Sequence, residues 1–152
     1  MVESVVFGLA RLAIEPALKK LAKAIQARKA VDVVAGGKMP IVVVEIGRPI
    51  VADVKAQFGE DSVVAVISAI KQLEPEEFPR FAADAYKALM DVARVLRKSG
   101  YGGEIGLVLS GPVALNFQFG QLVGLSHVRV QVFQWFAGEY RVIPQVRREM
   151  LK

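Results

Sequence analysis

Apolar residues recur along this chain with two periods, and the switches between them outline its elements. From Pro75 to Lys98 the period is helical: Phe78, Phe81, Ala82, Ala85, Leu89, Val92, Ala93 and Leu96 share one face. Glu74, Glu76 and Glu77 at its start and Arg94, Arg97 and Lys98 at its end complement the helix dipole, and Ser99-Gly100 offers a stop. Residues 3–30 also carry helical spacing, through Val6, Leu9, Leu12, Ala13, Leu18, Leu21, Ala22 and Ile25. Pro16 divides that stretch into two helices or kinks a single one. Ile41–Ile46 and Val63–Ile67 are instead β-branched and nearly continuous, as strands covered on both faces are. Val31–Val34 reads as a further short strand before a Gly36-Gly37-Lys38 turn, and Asp53–Phe58 fits neither template.

The stretch from Glu104 to Gly120 joins the two periods. Its apolar run Ile105–Leu109 reads as a buried strand that breaks at Gly111 and enters a helix with Pro112 at the first position. Gly124 closes that helix. His127–Phe133 then alternates, with Val128, Val130 and Val132 on one face and Arg129, Gln131 and Phe133 on the other. Gln134–Glu139 reads as a hairpin turn into Tyr140–Ile143, and Pro144 keeps that strand at an edge. This order predicts an α/β, Rossmann-like domain over residues 31–152. Its mainly parallel sheet is flanked by helices and carries a C-terminal antiparallel hairpin, and residues 1–30 form an added helical extension.

With 152 residues the chain fits one domain with a proper core. A hydrophobic content of 53% and a mean hydropathy of +0.38 exceed what a single surface needs. The surplus points to a doubly covered sheet, a subunit interface, or both. No window offers the roughly 18 uninterrupted apolar residues of a membrane span, and Arg11 breaks the run from Val5 to Ile14, so neither a span nor a signal peptide is expected. The expected location is therefore cytoplasmic. Without cysteine there is no thiolate chemistry, and with His127 alone a zinc site would depend on carboxylates. No metal and no cofactor are expected. A net charge of +5 favours an anionic partner.

Nucleophile elbows, Walker loops and GxGxxG turns opening a helix are all missing from the sequence. His127, at a strand start, reads as a structural or solvated residue. What stands out is the junction Ser110-Gly111-Pro112, where a strand feeds a helix N-terminus with outward N–H groups suited to a phosphate. Its plain alternative is an ordinary turn. Arg48 falls just past the end of the strand Ile41–Ile46, where open α/β sheets bind ligands, and Ser68 ends the next strand. Phe133, Trp135, Phe136 and Tyr140 either stack on a base or pack a core.

Glu104-Ile105-Gly106-Leu107-Val108-Leu109-Ser110-Gly111-Pro112, followed by Ala114, Phe117, Gly120 and Leu122, resembles the C-terminal part of the SAVED domain. Val130–Trp135 with Gly138-Glu139-Tyr140 resembles the ending of that domain. Such domains are similar to CRISPR-associated Rossmann-fold sensors and bind cyclic oligonucleotide messengers in prokaryotic antiviral defence. The resemblance covers residues 100–146, and residues 40–98 only in the order of elements. Gly106 stands where members often carry His, and the chain has room for one lobe where members usually hold two fused to an effector. The resemblance implies a binding module for a cyclic oligonucleotide or related anionic nucleotide, working as a homodimer or higher oligomer beside a separate effector. Ser110, Gly111 and the N–H groups after Pro112 would meet phosphate, with Arg48 as charge partner; Asn116 and Gln134 would read base edges and Trp135 would stack. The alternatives are a ring nuclease acting through 2′-hydroxyl attack, and a non-catalytic regulatory subunit docked through its N-terminal helix.

Overall fold

The structure, a computed structural model, describes residues 4–6, 27–69 and 72–152. Within them a six-stranded sheet is built from β1 (Ser4–Val6), β2 (Ile41–Ile46), β3 (Val63–Ala69), β4 (Ile105–Ser110), β5 (Val130–Phe136) and β6 (Glu139–Val142), in the order β1-β3-β2-β4-β5-β6. The four central strands run parallel, and β1 and β6 pair antiparallel at the two edges. The helices are α1 (residues 27–35), α2 (Val51–Phe58), α3 (Phe78–Lys98) and α4 (Val113–Gly124). The fold is thus α/β and Rossmann-like, with the hairpin at its C-terminal side.

The alternation of strand side chains explains the layers. Val42, Val44 and Ile46, with Ile67, Ala69, Ile105 and Leu107, face a large core closed by α1, α3 and α4. Ile41, Val43, Val108, Phe133 and Tyr140 face the opposite side, under α2. Because β2 is buried at every position, its sequence is apolar on both faces except at Glu45, and a nearly continuous apolar run is what such a strand requires. α3 buries the expected face, from Phe81 through Leu96, with Ala88 added. A 3-10 turn at Pro75–Glu77 leads into it, and the Glu77 carboxylate accepts the Glu74 N–H at 3.0 Å.

Several boundaries differ from the sequence reading. Ser4–Val6 is a strand on β3, so the helix expected from residue 3 does not begin there; residues 7–26 of that expectation, with Pro16, lie outside the described residues. Val31–Val34 is helical rather than a strand. Ala30 and Val33, three apart, bury one face, and this packing outweighs the β preference of the valines. The helix ends in a Schellman motif: Gly37 (φ 74°) donates to the Val34 carbonyl at 3.0 Å and Lys38 to the Val33 carbonyl at 3.1 Å. Pro112 is the N-cap of α4 and Val113 its first residue, since Pro112 has ψ 137°. A fixed proline φ suits both positions, and ψ decides between them.

The strand expected at His127–Phe133 is displaced to Val130–Phe136. The hairpin turn is only Ala137-Gly138, with φ 53° and 87°, the pair of positive values a type I′ turn needs. Gln134, Trp135 and Phe136 are therefore strand residues, paired with Arg141, Tyr140 and Glu139. Tyr140 turns its outer backbone edge to α2. There the Gln57 side-chain amide donates to the Tyr140 carbonyl at 2.7 Å and accepts its N–H at 2.6 Å, taking the place of a further strand.

Candidate functional site

The chain turns around at β2 and β4. From β2 the crossover through α2 leads one way, to β3; from β4 the crossover through α4 leads the other way, to β5. The two helices lie on opposite faces of the sheet. Between adjacent parallel strands whose crossovers diverge, the strand ends cannot be covered, and a crevice opens at their C-terminal edge. Gly47-Arg48-Pro49 follows β2 at this point, and Ser110-Gly111-Pro112 follows β4.

The crevice is built from close backbone approach and unspent donors. At Gly111 φ is 150°, and a Cβ there would stand 2.9 Å from Ile46 Cδ1 and 3.0 Å from Ile46 Cβ. Glycine is the residue that allows the β4 exit to pass so near β2. α4 has no side-chain cap, and its first intrahelical bond runs from the Asn116 N–H to the Pro112 carbonyl at 3.1 Å. The N–H groups of Val113, Ala114 and Leu115 thus have no helical acceptor, and they carry the positive end of the helix dipole.

Across the α2 face, Ser68, Glu45 and Ser110 stand side by side, because Glu45 is in register with both serines. Glu45 is 8% exposed, and its Oε2 accepts the Ile50 N–H at 2.7 Å, at the N-cap of α2. This bond aligns a carboxylate with the positive end of that helix. Tyr140 comes into the same neighbourhood from the hairpin. Burial pushes its phenol above the ordinary value; Asp53 adds to the rise, Arg48 opposes it, and Glu45 adds a smaller part. Trp135, 52% exposed, meets the Tyr140 ring edge-on with centroids 5.0 Å apart. Among the described residues Arg48 forms no ion pair and is exposed.

The fold therefore gathers Arg48, Ser110, Gly111 and Pro112 at one crevice and brings Trp135 to its α2 side through Tyr140. It separates the other two candidates. Gln134 alternates with Trp135 and faces the opposite side of the sheet. Asn116 lies one turn into α4, with Oδ1 buried and lacking a hydrogen-bond partner among the described residues. Glu45 and Asp53 were not anticipated. Glu45 had a signal, as the one charge inside an apolar β run; Asp53 had none. Gly106 lies four residues before Ser110, about 13 Å toward the other end of the sheet. A Cβ there would meet Ile41 Cγ1 at 3.0 Å and Met39 Sδ at 3.1 Å, so the space of a larger residue is already filled.

At that opposite end, His127 lines a shallow cavity of about 110 Å³ with Arg97, Tyr101 and Arg129. No group of three potential ligands that could hold a metal ion occurs among the described residues. Nor is any described helix long and apolar enough to cross a membrane. The fold defines a Rossmann-like α/β protein with a topological switch point between β2 and β4. Comparison with protein-family models, curated proteins and solved structures finds no match to this chain.

Proposed function

We propose that the switch-point crevice binds an anionic nucleotide, and that its ligand is a cyclic oligonucleotide of the kind sensed by SAVED domains in antiviral defence. The observation that carries this reading is the meeting, at one strand edge, of a helix N-terminus without a side-chain cap, the Ser110 hydroxyl and the exposed Arg48 guanidinium, which forms no ion pair among the described residues. Phosphate fits the N–H groups of α4 and Arg48, because both favour negative charge. Glu45 and Asp53 repel phosphate and suit hydroxyl or amino donors, so they orient the sugar and base away from the anion site. Trp135 offers an exposed ring for stacking. The net charge of +5 draws such a ligand in. The resemblance supplies the ligand class, and a second copy of the chain would supply the missing lobe.

Calorimetry and thermal unfolding with cyclic di-, tri-, tetra- and hexanucleotides test the proposal. A true ligand at a hundred times its Kd raises Tm by about 5–10 °C. Arg48→Ala then weakens binding by about 10- to 100-fold, the loss of a charge-assisted hydrogen bond. Absence of stabilisation by every member, or binding indifferent to Arg48→Ala, sinks it.

A further inference from the structure

We infer that the cavity between the C-terminal end of α3 and the entry to β5 binds a phosphate dianion, either free or as the end group of a phosphate monoester. It lies beside Ile105, about 17 Å along β4 from Ser110, and shares no residue with the crevice. Arg97 reaches it from the last turn of α3, and His127 and Arg129 reach it from the segment that joins α4 to β5. Tyr101, Gly102 and Gly103 line it from the segment that joins α3 to β4. Its volume of about 110 Å³ decides the size of ligand. Pockets that enclose a whole nucleotide-sized molecule run to about 300–1,000 Å³, so one small anion or one end group is what fits here.

The fold itself has no need of these basic groups. The carbonyls of Val95, Leu96 and Arg97, at the end of α3, already accept the N–H groups of Ser99, Tyr101 and Gly100 at 3.2, 2.9 and 3.0 Å. Arg97 is therefore not required as a cap. Among the described residues its guanidinium forms no ion pair or hydrogen bond, and neither does the His127 imidazole. Arg129 has one carboxylate near it, Glu104 at 4.0 Å, and with side chains 70% and 32% exposed this pair holds it weakly. Two guanidinium groups and an imidazole thus share one cavity with a single acid. Like charges at close range repel, and an anion between them removes the repulsion.

Tyr101 sets which groups are left to bind. Its hydroxyl donates to the Glu104 carbonyl at 2.6 Å, and a Cβ on Gly103 would stand 2.5 Å from that hydroxyl oxygen. Glycine at 103 is what lets the ring fold back over its own loop. With the phenol's proton committed to a carbonyl, donation to a ligand falls to the guanidinium and imidazole groups. A guanidinium offers its donors in a planar fork that matches phosphate oxygens two at a time. Two such forks balance a dianion, whereas a carboxylate brings one charge and occupies one fork.

His127 is the one histidine of the chain, so its imidazole gives a single proton NMR signal that reports on this cavity and not on the crevice. The test is titration with inorganic phosphate and with phenyl phosphate, at constant pH and against sodium chloride of equal ionic strength. A saturable shift of that signal is expected. Saturation by inorganic phosphate alone marks a site for the free ion, and tighter saturation by phenyl phosphate marks a site for a monoester end group. Arg97→Ala and Arg129→Ala, both at exposed positions, should each weaken binding by about 10-fold or more, with circular dichroism unchanged. The absence of any shift overturns the inference. So does a shift that chloride reproduces, that acetate saturates as tightly, or that survives both substitutions.

Discussion

Gly111 is held by two separate constraints, a positive φ of 150° and the approach of Ile46 within 3.0 Å of where a Cβ would be. Gly111→Ala is therefore expected to destabilise the chain by about 1–3 kcal/mol, read as a lower denaturation midpoint with an unchanged m-value. A midpoint equal to that of the wild type would show that the β4 exit relaxes without strain. Ser110, Gly111 and Arg48 were legible in the sequence because a strand end followed by glycine is a local signal. Glu45 was harder to see. Its partner is the Ile50 N–H, five residues on, and only the turn of the chain into α2 makes a buried carboxylate tolerable there.

The hairpin shows where an element's ends escape a sequence reading. Ala137-Gly138 lacks the Asn-Gly or Asp-Gly signature of a type I′ turn, so the sequence reads Gln134–Glu139 as turn although Gln134–Phe136 and Glu139 are strand residues. Ala137 pays for this with a positive φ of 53°, a conformation in which alanine is strained and asparagine is at ease. Ala137→Asn is expected to stabilise the chain by about 1 kcal/mol, measured by chemical denaturation; a loss of stability would mean that the turn is not type I′. α3 was legible almost in full because its apolar stripe is long and its ends are charged in the right sense. α1 was not: three valines and an aspartate mimic a strand, and only burial of Ala30 and Val33 against the sheet decides for helix.

At the scale of the molecule, the parallel order could be read from alternation of strand and helix, and the switch point follows from topology that no local pattern contains. Two tyrosines near opposite ends of the sheet give a test of the whole packing. Burial raises both phenols above the ordinary 10.0, assisted at Tyr101 by Glu104 and at Tyr140 chiefly by Asp53. A raised folded value means that the unfolded chain loses these protons first. The associated stability is present below the ordinary value and is lost as pH rises through the folded ones. Denaturation from neutral to strongly alkaline pH should show stability falling above pH 10.0, less steeply in Tyr140→Phe. An equal slope in the variant would place that phenol in water.

Gln57 has a mechanical consequence. α2 begins three residues after Arg48 and ends one residue after Gln57, a rod about 12 Å long. One end is tied to β2 through the Glu45 bond to Ile50, and the other grips both backbone groups of Tyr140. The rod is a lever. A ligand that drags the Arg48 loop and α2 with it must swing the hairpin too, or break two hydrogen bonds to leave it behind.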